Sequence, residues 1–250
     1  MKVTATIQAR MGSSRLPGKI MRQICGRPTL ALIVERIRQS RLIDEIVIAT
    51  ANAPENDVVE ELAKDLGVGC FRGSEDDVLS RIVGALKAYA VDVHVEFQGD
   101  NLLPDGLLID AVTGFYLKNA DRYDYVTTGL KTTYPPGSEV TVYPAKLLID
   151  LEPGVTDQAL REHVGPHIYQ HPEKYRICNL EAPPWLHRPD LHLEIDTQED
   201  FDVVRDVYEH FYPHNPGFSL AQVIEWADRS GVGERNKNVE RRWRAFRQDE

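Results

Sequence analysis

The sequence predicts an α/β fold: a mostly parallel central sheet covered by helices, in one domain of 250 residues. Three observations carry this prediction. As far as about Tyr123, short apolar runs of strand length alternate with segments whose apolar residues recur at helical spacing. The run Glu45-Ile46-Val47-Ile48-Ala49-Thr50 is apolar without alternation, as in a strand covered on both faces of a parallel sheet. The apolar share of 42% is enough to fill such a core.

The elements follow in order. Val3–Ile7 is the first predicted strand, and a loop runs from Gln8 to Lys19. Thr29–Ile37 has helical periodicity, and Glu45–Thr50 is the second strand. Asn56–Leu66 places Val58, Val59, Leu62 and Leu66 on one helical face, with Gly67 as its stop. Val68–Phe71 is a short strand, Asp76–Ala90 a helix, Val91–Phe97 a strand and Leu107–Leu117 a helix. The pattern then changes. Asp124–Thr128 and Glu139–Tyr143 read as strands flanking a Pro-Pro-Gly turn at residues 135–137. A helix over Ala145–Leu151 precedes a region rich in Pro, His and Tyr that ends near Trp185. Residues 123–188 thus read as an insertion serving substrate or subunit contacts. Leu191–Ile195 alternates as a strand does, and Asp200–Phe211 and Leu220–Arg229 read as helices. The tail from Glu234 reads as a short surface helix or a frayed end.

Composition limits the function. A net charge of −10 argues against a general nucleic-acid binder. No apolar run is long enough to span a bilayer and no signal-peptide pattern is present, so neither a membrane partner nor export is expected. Cys25, Cys70 and Cys178 share no close spacing, give no zinc or disulfide signal, and fit a reducing, cytoplasmic setting. The charge is uneven: before Asp44 there are nine Lys or Arg residues against one acid, Glu35. That asymmetry fits a small anionic ligand in a cleft. Arg36, Arg38 and Arg41 are expected on a solvated helix face.

The chemistry is expected to begin at Arg10-Met11-Gly12-Ser13-Ser14-Arg15-Leu16-Pro17-Gly18-Lys19. Glycines let backbone approach a polyphosphate, amides point at it, and Arg10, Arg15 and Lys19 neutralise its charge. The stretch is not a P-loop. Five residues separate Gly12 from Gly18 instead of four, and Ile20 stands where the Mg²⁺-binding hydroxyl would be. A metal for this loop must be held by carboxylates elsewhere. Ligands of open parallel sheets sit at the carboxyl ends of strands, and there Gln98-Gly99-Asp100 and Asp196 follow two predicted strands. Mg²⁺ takes one or two protein carboxylates and completes its octahedron with phosphate oxygens and water, which suits Asp100 with Asp196. The structural alternatives are a turn cap for Asp100 and, at Asp196, the start of a capping-box-like Thr197/Asp200 pair. After the strand ending at Phe71, Arg72 is a candidate triphosphate or base contact, while Ser74–Asp77 reads mostly as helix capping. His163 and His167 are four apart, but Gly165 and Pro166 interrupt the helix and Glu162 precedes the first His, so zinc is not expected. Arg161 and His163 are candidates for an anionic substrate or for a structural role.

The run Ile7-Gln8-Ala9-Arg10-Met11-Gly12-Ser13-Ser14-Arg15-Leu16-Pro17-Gly18-Lys19 resembles the N-terminal signature of cytidylyltransferases that make CMP-activated sugars. These include the 3-deoxy-manno-octulosonate and acylneuraminate enzymes. The pattern is closest to the spore-coat polysaccharide branch, which is also matched by Phe71–Leu79, Arg161-Glu162-His163-Val164 and Glu194–Asp200. The resemblance implies a Rossmann-like three-layer nucleotidyltransferase fold, CTP as donor, Mg²⁺ on Asp100 and Asp196, and a homodimer built through the insertion. It assigns the phosphate loop to Arg10, Ser13, Ser14, Arg15 and Lys19. The nucleotide-binding set expected from the matched motifs adds Gln8, Ala9, Met11, Gly12, Arg72, Gly73 and Gln98, with Arg10, Lys19, Asp100 and Asp196 catalytic. The insertion departs from the branch at Pro135-Pro136-Gly137-Ser138-Glu139 and at Gly165. Glu139, Arg161, His163 and Lys131 lie in the part that chooses the acceptor, expected to be an anionic small molecule: a carboxylated keto-sugar or a phosphonate or phosphate compound. The alternatives are a metal-dependent glycosyltransferase, which would normally carry Asp-x-Asp where Gly99-Asp100-Asn101 stands, and a non-catalytic nucleotide-binding relative.

Overall fold

The computed structural model describes residues 1–13 and 15–241. In chain order it runs β1 (Val3–Gln8), a small hairpin of β2 (Gln23–Ile24) and β3 (Arg27–Pro28), α1 (Thr29–Ile37), β4 (Glu45–Ala51) and α2 (Asp57–Leu66). Then come β5 (Gly69–Gly73), α3 (Val78–Ala88), β6 (Val93–Gln98) and α4 (Gly106–Lys118). The region expected to be inserted contributes β7 (Tyr125–Thr127), β8 (Thr141–Pro144), α5 (Ala145–Leu151), α6 (Gln158–Arg161), α7 (Pro166–Tyr169) and β9 (Ile177–Asn179). The chain closes with α8 (Gln198–Phe211) and α9 (Leu220–Ser230).

The main sheet has the strand order β5-β4-β1-β6-β8-β7-β9. β1 pairs in parallel with β4 on one side and with β6 on the other, and only β8 runs against the rest. The order reverses at β1: the chain first builds outward through β4 and β5, then returns to place β6 on the other flank. Such a switch opens a crevice at the carboxyl ends of the two flanking strands, here Gln8 and Gln98.

The unbroken apolar run of β4 is explained by burial on both faces. Ile46 and Ile48 belong to the buried cluster that takes in residues of α1, α4, α8 and α9, while Val47 and Ala49 belong to the one that takes in residues of α3, α5 and α7. The fold is therefore three-layered. α2 ends where Gly67 adopts φ 63°, the left-handed cap its position predicted.

Three expectations are corrected. Leu191–Ile195 is not a sheet strand; it makes a single bridge, Glu194 with Asn101. Its alternation misleads because His192 and Glu194 are buried along with Leu191, Leu193 and Ile195, so no solvent face exists. Arg36 is not on a solvated face. Its Nε donates to the Pro104 carbonyl at 2.7 Å and its guanidinium lies 4.3 Å from the centre of the Phe218 ring. The tail is neither a surface helix nor frayed as far as residue 241. After a 3-10 turn at Val232–Arg235, Asn236 and Arg241 are buried against α8.

Candidate active site

The loop after β1 does not feed a helix directly. Gly18 takes φ 65° and opens a 3-10 turn at Lys19–Met21, and the hairpin intervenes before α1. The left-handed turn aims Lys19 back across the sheet end. Several loop amides are bound within the chain. Those of Ser13 and Gly18 donate to the Met11 carbonyl at 3.0 and 3.1 Å, and that of Leu16 to Ser13 Oγ at 3.3 Å. The Met11 amide donates to Oδ1 of Asn56 at 2.9 Å. Asn56 is fully buried at the start of α2 and pins the loop; nothing in the local sequence marks it. Ser14 lies outside the described residues.

Lys19 is where the strand ends meet. Its Nζ donates to Asp100 Oδ2 at 3.0 Å, to Asp196 Oδ1 at 3.3 Å and to the Ile195 carbonyl at 2.6 Å. Arg15 reaches Asp196 Oδ2 at 2.6 Å. The two acids come together because the Ile195 amide donates to the Asp100 carbonyl at 2.9 Å. Burial pushes the Lys19 ammonium down, but Asp100 and Asp196 more than offset it, so its pKa is raised. Asp100 Oδ1 is buried with no hydrogen-bond partner. No group of three or more metal-ligating side chains forms among the described residues. Two carboxylates, one with an orphaned oxygen, beside a loop of cations fit a Mg²⁺ that draws its remaining ligands from phosphates and water.

A cleft of about 610 Å³ opens here. Of the predicted residues it is lined by Gln8, Arg15, Gln98, Asp100, Glu139, His163 and Asp196. Burial lowers the pKa of His163, which keeps that imidazole neutral at and above pH 7. Oε2 of Glu139 accepts the Gly137 amide at 2.8 Å. Glu96, Glu162 and Glu194, together with Tyr125, Thr127 and Thr141, line the half toward β7 and β8. Glu96 accepts the Tyr143 hydroxyl at 2.8 Å and sits 3.4 Å from Gln8 Nε2; burial pushes its carboxyl up to about 7 despite the tyrosine bond. Sequence reading named Glu139 and His163 here but missed Glu96, Glu162 and Glu194, which come from β6, the turn after α6 and the segment before Asp196 and share no motif.

Other predicted residues stand apart from the cleft. Arg10 donates to the Glu75 carbonyl at 3.1 Å. Arg72 is held by Asp57 at 2.7 Å, Glu60 at 2.8 Å and the Ala53 carbonyl at 2.9 Å. Gly73 ends β5 beside Arg72, and Ala9 is buried with its amide 3.2 Å from the Ala49 carbonyl. Gly12 packs against the Glu75 side chain. Arg161 does not reach the cleft: its Nε donates to Asp77 at 2.8 Å, Nη1 to the Val155 carbonyl at 2.7 Å, and Nη2 to Glu152. It clamps α6 to the start of α3. Burial raises the Asp77 carboxyl, but Arg161 and the Ser80 amide outweigh it and hold the pKa below the ordinary value. Lys131 pairs with Glu181 at 2.8 Å, both exposed.

Comparison with known proteins agrees over most of the chain. A family model described as cytidylyltransferase matches residues 4–221. The spore coat polysaccharide biosynthesis protein SpsF of Bacillus subtilis is 35% identical over 230 residues, covering 90% of this chain and 93% of that one. A 3-deoxy-manno-octulosonate cytidylyltransferase of Bdellovibrio bacteriovorus is 28% identical over 228 residues, covering 83% and 86%. The solved structure of a cytidylyltransferase from Leptospira borgpetersenii superposes with a TM-score of 0.90 at 30% identity, over 96% of this chain and 100% of that one.

Proposed function

The chain belongs to the cytidylyltransferase family and is a CTP-dependent nucleotidyltransferase; from that premise we propose that it moves CMP to a carboxylated keto-sugar and releases pyrophosphate. The observation that carries the reading is the convergence of Lys19 and Arg15 on Asp100 and Asp196 at the wall of the cleft. The acceptor hydroxyl attacks the α-phosphorus of CTP, its proton passes to water, and the new P–O bond forms as the bond to pyrophosphate breaks. Arg15 and Lys19 meet the charge that gathers on the departing pyrophosphate, on turning from the carboxylates of Asp196 and Asp100 that now hold them. Gln8 and Gln98, at adjacent strand ends, orient the donor against the acceptor. Arg10 and Arg72 serve the nucleotide only on leaving their present acidic partners. Asp100 and Asp196 would hold Mg²⁺, which when bound neutralises phosphate charge and lowers the pKa of the acceptor hydroxyl.

A specific observation favours the keto-sugar over a phosphonate. The acceptor half of the cleft presents Glu96, Glu139, Glu162 and Glu194, with hydroxyls from Tyr125, Thr127 and Thr141. Carboxylates accept hydrogen bonds from sugar hydroxyls and repel a doubly charged phosphonate more strongly than a singly charged keto-sugar acid. The name of the Bdellovibrio relative states an acceptor of this kind for that protein. A homodimer through residues 123–188 is also proposed, where Trp185 is 68% exposed; a light-scattering mass of one 28.3 kDa chain would overturn it.

The test is pyrophosphate release from CTP, assayed with keto-sugar acids and with phosphonates. Release with a keto-sugar acid alone supports the reading, release with a phosphonate alone reassigns the acceptor, and release with neither removes the proposal. Asp100→Ala and Asp196→Ala are each expected to slow turnover by ~100-fold or more; near-normal turnover in either removes it from the metal site.

A further inference from the structure

The carboxylate of Asp196 is carried on a bend between the extended segment 191–195 and α8, and one side chain holds that bend. Oδ2 of Asp200 accepts the amides of Asp196 at 3.1 Å and Thr197 at 2.9 Å. Its other oxygen, Oδ1, accepts Nη2 of Arg241 at 2.8 Å and Nδ2 of Asn236 at 2.8 Å. Asn236 also donates to the His192 carbonyl at 3.1 Å, and Arg241 to the Asn236 carbonyl at 3.0 Å. The Arg241 and Asp200 side chains are 1% and 0% exposed.

A helix cap does not need this arrangement. α9 has the same kind of reciprocal box, Ser219 with Gln222, at an exposed position and, among the described residues, with no cation bound to it. At α8 the box is Thr197 with Asp200, and a guanidinium from 41 residues downstream is buried against it. Taking two charges out of water is costly, and an apolar contact would stabilise the tail at least as well. The pair does something that an apolar contact cannot. It fixes both oxygens of Asp200, and through them the backbone at Asp196 and Thr197.

We infer that Arg241 is a positioning residue for the carboxylate of Asp196: acting through Asp200, it sets that carboxylate opposite Asp100. The inference rests on the metal-binding role proposed above for Asp196. It joins the end of the described chain to the reacting centre, since the groups around a ligand carboxylate orient it as much as its own side chain does.

The experiment compares the full chain with Arg241→Met, Arg241→Lys, Asn236→Ala and Asp196→Ala. Each is titrated with Mn²⁺ in the presence of a non-hydrolysable CTP analogue, with free Mn²⁺ read by electron paramagnetic resonance. Thermal melts, kcat and the KM for CTP are measured alongside. Arg241→Met is expected to weaken Mn²⁺ binding by about tenfold and to lower kcat, leaving the KM for CTP nearly unchanged, and Arg241→Lys to restore most of both. A lower melting temperature with wild-type Mn²⁺ affinity and kcat, measured where the variant is folded, would overturn the inference. Should Arg241→Met fail to fold, Asn236→Ala decides: a smaller weakening in the same direction supports the inference, and unchanged affinity overturns it. Asp196→Ala separates the two layers. Undiminished Mn²⁺ binding there sinks the metal reading itself, whereas its loss with a normal Arg241→Met sinks only the positioning role.

Discussion

Lys19 shows two opposed effects acting on one ammonium. Burial disfavours the charge, two carboxylates favour it, and the carboxylates win. Lys19→Met would leave Asp100 and Asp196 facing each other without the ammonium between them. The melting temperature should fall, because two like charges are left without the cation between them. Added Mg²⁺ should recover more of that deficit than it adds to the wild type; an equal gain in both would count against a shared metal site. Glu96 gives a second residue-scale prediction. Its folded pKa of about 7 lies above the ordinary 4.5, so between those values the folded chain keeps a proton that the unfolded chain has lost. Stability therefore falls as pH rises through that window. Glu96→Gln cannot titrate, and its melting temperature should exceed the wild type's by more at pH 8 than at pH 5.

At the scale of elements, the turn before β8 decides where Asp196 stands. Gly137 has φ 99°, and a Cβ there would meet the Glu194 amide nitrogen at 2.3 Å and the Leu193 carbonyl carbon at 2.5 Å. The obstacle is backbone, so it cannot be relieved by turning a side chain. Alongside, the Leu193 amide donates to the Pro136 carbonyl at 2.7 Å. Gly137→Ala must push the 191–196 segment away from the turn. Displacement of a positioned group by about 1 Å costs on the order of 10²-fold in rate, so turnover should fall by about that factor while the chain still folds. Wild-type turnover would show that the segment tolerates the shift. The clamp by Arg161 acts at the same scale. Arg161→Ala should raise amide hydrogen exchange in α6 and the 152–155 turn above that in α8, because Glu152 and Val155 lose the guanidinium.

For the whole molecule, the strand order, more than any single motif, assembles the site. The return from β5 to β6 on the far side of β1 sets Gln8 beside Gln98, and the chain comes back after β9 to lay Asp196 beside Asp100. The elements up to β6 other than the β2–β3 hairpin, the helix-covered parallel sheet, and the cation loop with its two candidate carboxylates were legible in the sequence. Each is written in local signals: apolar period, glycine stops, and residue types that suit phosphate. Ile46, Ile48, Val47 and Ala49 could be assigned to a doubly buried strand without knowing their neighbours. Arg161, Arg36 and Leu191–Ile195 were not legible, because their roles depend on what faces them. The same guanidinium is an anion contact in a cleft and a clamp between Asp77 and Glu152. The same alternation is a surface strand or, buried on both sides, a crossing segment. Propensity and side-chain charge are local properties, so the chain alone yields a helix-covered parallel sheet and a cationic loop suited to phosphate. The fold alone settles which carboxylates share the cleft, which arginines are withdrawn from it, and that Asp200 ties Arg241 to the backbone at Asp196. Those facts rest on contacts between segments far apart in the chain, where no local pattern records the partner.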